Sequence, residues 1–161
     1  MPDRLALMGD VHANLPALRA VLDAIAGAGM TRGVCTGDLV MRGPDPEGVV
    51  EAVRRLGWPC VVGNTDKKVA QRVARPKDHP KAQRVGSRAW TTNQLSKGSL
   101  AYLAGLPMVW RLTLKEWRVA IVHGAPDDPR QAVEEHTPKA DIRRLIASLG
   151  GPDCIVYGHT H

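Results

Sequence analysis

The chain has 161 residues with 43% apolar side chains, which is enough for one globular domain with its own hydrophobic core. Its 16 glycines and 12 prolines stay below the roughly 25% of low-complexity chains, so collagen-like and linker sequences are excluded. The 22 lysines and arginines exceed the 16 acidic residues, and the formal charge of +6 favours anionic ligands without specifying one.

Composition also bears on the compartment. No run approaches the roughly 20 consecutive apolar residues of a membrane helix, and the first four residues lack a signal-peptide pattern. We therefore expect a cytoplasmic protein without a membrane partner. Cys35, Cys60 and Cys154 lie far apart in apolar runs, which predicts three core thiols rather than disulfides or a metal-binding cysteine pair.

The first half of the chain alternates short apolar runs with helical patterns. Strands are predicted at residues 5–8, 34–36 and 59–62. Helices are predicted between them, where apolar residues recur at helical spacing over 15–25 and 46–56. This βαβα order indicates an α/β fold whose sheet is mainly parallel.

The second half predicts a different arrangement. Residues 67–106 are mostly helical in pattern, with a loop at 76–83. A hairpin over 109–122 starts a second sheet or layer, a helix begins at Thr137-Pro138, and a last strand covers 154–157. Nothing requires a boundary, so we expect a single domain over 1–161.

Five polar clusters follow the predicted strands. They are Gly9-Asp10-Val11-His12, Gly37-Asp38, Gly63-Asn64-Thr65-Asp66, His123-Gly124 and Gly158-His159-Thr160-His161. Because ligands of α/β sheets bind beyond the carboxyl ends of the strands, we expect these clusters to meet at one rim. Four of the six histidines then lie together.

The residue types in these clusters indicate divalent metal binding. Carboxylates, imidazoles and an amide oxygen suit Zn, Mn, Fe or Ni. Alternate residues of an extended chain point the same way, so Asp10 with His12, and His159 with His161, can each present two ligands together. Seven ligands exceed the need of one ion, which favours two ions that share a carboxylate and clamp a phosphate.

The five ordered clusters resemble those of the calcineurin-like metallophosphoesterases. Two further segments, Gly37-Asp38-Leu39-Val40-Met41-Arg42-Gly43-Pro44-Asp45-Pro46 and Trp90-Thr91-Thr92-Asn93-Gln94-Leu95-Ser96 with Leu106-Pro107, resemble the bacterial phosphodiesterase branch. The resemblance covers essentially the whole chain. It implies an α/β/β/α sandwich of mixed sheets and a dinuclear metal site.

The resemblance also implies a ligand set and a mechanism. One ion is expected on Asp10, His12, Asp38 and His161, and the other on Asp38, Asn64, His123 and His159, with Asp38 as the bridge. Mn²⁺ is the expected metal, with Fe, Ni or Zn as alternatives. The implied reaction is in-line attack on phosphorus by a hydroxide that bridges the ions.

This chain departs from the family pattern at two places. Many members have a histidine after the asparagine of the third cluster as general acid, and here that position is Thr65, a poor proton donor. Asp66 or a metal-bound water is the candidate proton source, and Asn64 and Thr65 are candidate substrate contacts. Members also continue past the fifth cluster, so we expect C-terminal strands beyond His161 to be missing.

Other polar residues leave alternatives open. Arg42 is either a loop charge or a bidentate phosphate clamp with a catalytic role. His79 and His136 favour loop positions, and the tryptophans at 90, 110 and 117 favour core positions over nucleobase stacking. A basic stretch is either a solvated helix face or a rim that favours nucleotides. It contains Lys67, Lys68, Arg72, Arg75, Lys77 and Lys81.

The sequence thus predicts a metal-dependent phosphodiesterase or phosphatase acting on small phosphodiesters or nucleotides. A nuclease, with nucleic acid as partner, or a dinucleoside polyphosphate hydrolase is the alternative within the enzyme class. A non-catalytic interaction module on the same fold is the alternative outside it. The pattern leaves the oligomeric state open.

Overall fold

The computed structural model describes residues 4–71, 76 and 78–161. In chain order the elements are β1 (Ala6–Met8), α1 (Leu15–Gly27), β2 (Gly33–Cys35), α2 (Pro46–Leu56), α3 (Asn64–Ala70), α4 (Pro80–Gln83), α5 (Arg88–Gln94), α6 (Lys97–Ala104), β3 (Val109–Leu114), β4 (Trp117–Val122), α7 (Lys139–Ser148) and β5 (Cys154–Tyr157).

The strands form two sheets. In the first sheet, β1 and β2 pair in parallel, with Ala6 opposite Gly33, and Cys60 adds a single parallel bridge to Cys35. In the second sheet, β4 lies between β3, which is antiparallel to it, and β5, which is parallel to it. The expected α/β fold of mixed sheets is confirmed.

Three buried apolar clusters separate four layers. The first joins the first sheet to its helices through Leu18 of α1, the valines of α2 and Leu103 of α6. The side chains of β4 then alternate, because successive residues of a strand point to opposite faces. Ile121 packs toward Val34 of the first sheet, whereas Val122 packs toward α7. The order is therefore helices, sheet, sheet, helix.

Helix α2 shows how local sequence sets an element. Asp45 caps it by accepting the main-chain N–H of Gly48 at 2.9 Å, and Pro46 fits the first turn, where no N–H is needed. Gly57 ends it with a φ of 64°, a left-handed conformation that suits glycine. Between these ends, Val49 and Val53 are fully buried against the first sheet.

Two predicted elements differ in the structure. Residues 59–62 pair with β2 only through the bridge at Cys60, where Cys35 donates to the carbonyl of Pro59 and Val61 donates to the carbonyl of Cys35. The chain then turns at Gly63 into α3, which ends the pairing. Part of the predicted loop at 76–83 is the short helix α4. His79 caps it by accepting the N–H of Lys81 at 3.1 Å, and Pro80 opens its first turn.

Burial corrects two further predictions. Cys35 and Cys60 are buried, but Cys154 is exposed, because it begins the edge strand β5. Trp110 and Trp117 are 38% and 52% exposed on the hairpin rather than in the core. Among the described helices, none is long and apolar enough to cross a bilayer.

Candidate metal centre

The five polar clusters meet beyond the carboxyl ends of the strands, as expected. The loops after β1 and β2 run side by side, with the N–H of Asp10 on the carbonyl of Gly37 at 2.9 Å and that of His12 on the carbonyl of Asp38 at 3.0 Å. The last loop joins them where the N–H of His159 donates to Asp10 Oδ2 at 3.2 Å. Residues from both sheets therefore line one site.

Asp10, His12 and His161 form the first cluster of possible ligands, with one ligand atom from each within 4.8 Å of the others. Nε2 of His161 lies 3.3 Å from Asp10 Oδ1 and 3.3 Å from Nε2 of His12. The two imidazole rings are stacked with their centroids 5.3 Å apart. Two ring nitrogens and a carboxylate oxygen thus converge.

Asp38, His123 and His159 form the second cluster, with the same 4.8 Å limit between ligand atoms. His123 Nε2 lies 3.4 Å from Asp38 Oδ1 and 3.2 Å from His159 Nδ1. Asp38 and His123 are almost completely buried, with 2% and 1% of their surfaces exposed. This cluster is therefore the more enclosed of the two, since His161 of the first cluster is exposed.

Asp38 faces both clusters. Its Oδ1 is directed to His123, and its Oδ2 lies 3.7 Å from His12 Nε2. A carboxylate with one oxygen toward each of two groups of ligands has the geometry of a shared ligand. The bridging role that the family resemblance implied for Asp38 stays a prediction.

Thr36 orients His123, a contact that the sequence reasoning missed. The Thr36 carbonyl lies 2.8 Å from His123 Nδ1, and because a carbonyl only accepts, Nδ1 carries the hydrogen. In the neutral imidazole, Nε2 then presents its lone pair to Asp38 and His159. Such an outer contact is typical of metal-binding histidines. The only sequence signal was the position of Thr36, just before Gly37-Asp38.

The third cluster packs directly on Asp38. The N–H of Thr65 donates to Asp38 Oδ1 at 2.8 Å, and a Cβ at Gly63 would lie 2.1 Å from the same oxygen, so only glycine fits there. Asn64 Oδ1 and Thr65 Oγ1 are buried and have no hydrogen-bond partner among the described residues. A buried amide oxygen without a hydrogen-bond partner among the described residues, in the residue before Thr65, is suited to hold a cation.

Asp66 has a clear structural role. Its Oδ1 accepts the N–H groups of Leu39 at 2.9 Å and Val40 at 3.2 Å, and its Oδ2 accepts that of Gly63 at 3.0 Å. Burial, and to a lesser degree the charge of Asp38, raises the pKa of Asp66 to about 7, although the three N–H donors lower it. The carboxylate of Asp66, in the first turn of α3, therefore ties this helix to the loop after β2 that carries Asp38. Its part in proton supply stays a prediction.

Arg42 is exposed in the loop that follows Asp38. Its main-chain N–H donates to the carbonyl of Gly86 at 2.9 Å. Burial lowers the pKa of His12, the negative charge of Asp38 raises it, and the positive charge of Arg42 lowers it further. Arg42 therefore acts electrostatically on the first cluster, and its role as a phosphate clamp stays a prediction.

The backbone of the site is strained. Nine described residues other than glycine have a positive φ. Eight of them lie in the loops of the site, and the ninth, Lys115, lies in the hairpin turn. The other eight are Asp10, His12, Ala13, Asp38, Met41, Arg42, His159 and His161. Such conformations persist when the surrounding structure enforces them, and they concentrate at functional sites.

The donor set fits divalent cations. Carboxylate and imidazole groups in two adjoining clusters match the preferences of Mn, Fe, Ni and Zn, and no cysteine of the described chain belongs to either cluster. In each cluster two imidazole nitrogens lie close together near a carboxylate oxygen, at 3.2 Å for His123 and His159 and at 3.3 Å for His12 and His161. Each such group could bind one cation.

The remaining predicted positions fall outside the clusters. Lys67 and Lys68 lie on α3, whereas Arg72, Arg75 and Lys77 of the basic stretch lie outside the described residues. His136 is exposed in a loop, as expected.

Comparison with known proteins agrees with this geometry. The family model of the calcineurin-like phosphoesterase superfamily domain matches residues 4–161. The uncharacterized protein MJ0912 of Methanocaldococcus jannaschii is 32% identical over 98% of this chain and 62% of its own length. The metallophosphoesterase of Sphaerobacter thermophilus is 36% identical, with a TM-score of 0.73 over 98% of this chain and 60% of that one.

A second similar solved structure is that of a proposed diadenosine tetraphosphatase. It is 28% identical, with a TM-score of 0.60 over 80% of this chain and 54% of that one. The chain therefore belongs to the calcineurin-like phosphoesterase superfamily and has the metallophosphoesterase fold. It spans 62% of the length of the curated relative it matches.

Proposed function

We propose that this protein is a dinuclear metal-dependent phosphoesterase that hydrolyses small phosphodiesters or nucleotides. The observation that carries the proposal is Asp38, whose two carboxylate oxygens face two separate ligand clusters at 3.4 and 3.7 Å. Family membership supports phosphoester chemistry, and the two clusters support two cations.

The residues that would hold the cations follow from the clusters. Asp10, His12 and His161 would hold one, His123, His159 and Asn64 the other, and Asp38 would serve both. Mn²⁺ is the metal we propose, with Fe, Ni or Zn as alternatives that suit the same ligands. When bound, two such cations activate water at neutral pH and neutralise charge on the phosphoryl oxygens.

The chain's own residues orient the reacting groups. Thr36 sets the ring of His123, and Asp66 fixes the loop that carries Asp38, so the ligands are organised before substrate binds. Arg42 would bind phosphate oxygens through its guanidinium fork. Thr65 and Asn64, in the first turn of α3, would also contact the substrate, Thr65 through its hydroxyl, which has no hydrogen-bond partner among the described residues, and Asn64 through its amide nitrogen.

Metal removal tests the proposal. Chelator should abolish hydrolysis of bis(p-nitrophenyl) phosphate, and Mn²⁺ should restore it. His123→Asn should lose this activity, while His136→Asn, a histidine change in an exposed loop, should keep it. Hydrolysis that is indifferent to chelator, or lost equally in both variants, would contradict the proposal.

A dinucleoside polyphosphate hydrolase is the second candidate. It is favoured by the similarity to the proposed diadenosine tetraphosphatase and by Lys67 and Lys68 beside Asn64. A panel of mono-, di-, cyclic and polyphosphate esters on the metal-loaded protein separates this activity, the phosphodiesterase and a nuclease. A protein that binds two cations, turns over none of these esters and holds a stable partner would be an interaction module instead.

A cytoplasmic location stays a prediction. Fractionation of the native host cells tests it.

A further inference from the structure

A cleft of about 320 Å³ opens beside the candidate metal centre. One wall is a single face of α3, because positions three and four apart on a helix are neighbours. That face carries Asn64, Lys67 and Lys68, and Gln71, directly after α3, extends it. The facing wall is the loop of Asp127, Asp128, Pro129 and Arg130. Asn64 belongs to both the centre and the cleft, so the two are continuous.

The facing loop is held in place next to His123. A Cβ at Gly124 would lie 2.6 Å from the carbonyl oxygen of Pro129, so the loop folds back closely over the end of β4. Pro129 itself is buried. The N–H of Ala125 donates to the carbonyl of Gln131 at 3.1 Å and closes the loop. The cleft is therefore bounded by two segments that also carry candidate ligands.

The charges of the cleft favour an anion. Arg130 is neutralised by Asp128, with Nε–Oδ1 and Nη2–Oδ2 distances of 2.9 and 2.8 Å. Lys67 and Lys68 make no ion pair within 4 Å to any described carboxylate, and Asp127 is the remaining acid of the lining. Two lysines against one aspartate leave the cleft with a positive balance.

We propose that this cleft is a subsite for a second anionic group of the substrate. Lys67 and Lys68 would bind it while the scissile phosphate lies at the metal centre. The preferred substrates are then phosphoesters with a further phosphate, such as nucleoside or dinucleoside polyphosphates, rather than esters with neutral tails. The position of the scissile phosphate in this inference rests on the proposed function. The anion-binding site at Lys67 and Lys68 does not depend on it.

Binding of inorganic tripolyphosphate tests the subsite directly. The chelator-treated 161-residue chain should bind tripolyphosphate more tightly than inorganic phosphate, by calorimetry. The Lys67→Gln/Lys68→Gln double variant should weaken tripolyphosphate binding about 10-fold, because two charge-assisted contacts are lost. Lys115→Gln/Lys139→Gln is the matched control with the same charge change away from the cleft, and its binding should equal that of the parent.

Kinetics of the Mn²⁺-loaded protein give the second readout. The double variant should raise KM for diadenosine tetraphosphate about 10-fold and leave KM for bis(p-nitrophenyl) phosphate unchanged. Unchanged tripolyphosphate binding, an equal loss in the control, or equal effects on both esters would overturn the subsite. If the parent hydrolyses neither ester, the proposed function fails, and tripolyphosphate binding alone decides the subsite.

Discussion

The carboxylate of Asp66 in α3 accepts the main-chain N–H of Leu39 at 2.9 Å, and through this contact α3 holds the loop that carries Asp38. The same carboxylate accepts the N–H of Val40 and, through its other oxygen, that of Gly63. All of these groups lie in the interior, where an unsatisfied donor is costly. Asp66 is therefore a positioning residue for the centre.

Replacement of Asp66 by alanine should lower the free energy of unfolding by about 3 kcal/mol, because buried N–H groups lose their acceptor. Asp66→Asn should lower the free energy of unfolding by less, because the amide oxygen can still accept the N–H groups of Leu39 and Val40. Urea unfolding of the metal-free chain measures both. Asp141→Asn, which breaks an exposed pair with Arg144 at 2.9 Å, should change stability by less than about 1 kcal/mol. Equal stability of Asp66→Ala and the parent would refute the positioning role.

Asp38→Asn should weaken metal binding at both clusters, whereas Asp10→Asn should weaken it mainly at one. Changes to residues that merely orient ligands cost about 10- to 100-fold in affinity, so loss of the shared ligand should cost more. Titration with Mn²⁺ by calorimetry counts the sites and gives their affinities. An Asp38→Asn protein that retains two sites of parental affinity would show that Asp38 is not shared.

Thr65→His should accelerate hydrolysis of esters with poor leaving groups more than that of aryl esters, because a positioned general acid helps alkoxides most. We expect a gain of about 10-fold for a methyl ester and little for a nitrophenyl ester, measured as kcat/KM. Thr65→Ser is the matched control that adds no proton donor.

Thr65 is only 2% exposed, so the histidine variant is compared with the parent by urea unfolding before its rates are interpreted. A folded variant with equal gains on both esters, or with none, would indicate that another group already supplies the proton. Asp66 is then examined by the pH profile of its asparagine variant.

Glu47 of α2 links to the start of α6, and this link should make stability depend on pH. Its Oε2 accepts the N–H of Ser96 at 3.1 Å and its Oε1 accepts the hydroxyl of Ser99 at 2.9 Å. Burial raises the pKa of Glu47, but these hydrogen bonds outweigh it and the net shift is downward. The stabilisation is therefore present above the unfolded-state pKa and disappears as pH falls through the folded-state pKa.

Glu47→Gln should lower the free energy of unfolding by about 1 kcal/mol at pH 7, and by progressively less as the pH falls through the folded-state pKa of the parent glutamate. Urea unfolding over this pH range measures the difference. Glu51→Gln is the control on the same helix, since Glu51 is exposed and 3.9 Å from Arg55. A Glu47→Gln effect that does not change with pH would contradict this account.

Local sequence determined much of this protein. Asp45-Pro46 and Gly57 mark the two ends of α2, and the apolar run within 117–122 marks β4, because caps and apolar runs act within a few residues. The same holds for the choice of possible ligands. Asp10, Asp38 and His123 each follow an apolar run that becomes a strand. The third polar cluster follows the apolar run that forms the bridge at Cys60.

Tertiary structure decided the rest, because the deciding contacts join residues far apart in sequence. Asp38 faces both clusters only when β1, β2 and the loops after β4 and β5 meet, and Thr36 reaches His123 across 87 residues. The exposure of Cys154 follows from its place on an edge strand. The apolar run 59–62 pairs with β2 only through the bridge at Cys60, because the chain turns at Gly63 into α3, whose Thr65 N–H donates to Asp38 from a distant part of the sequence.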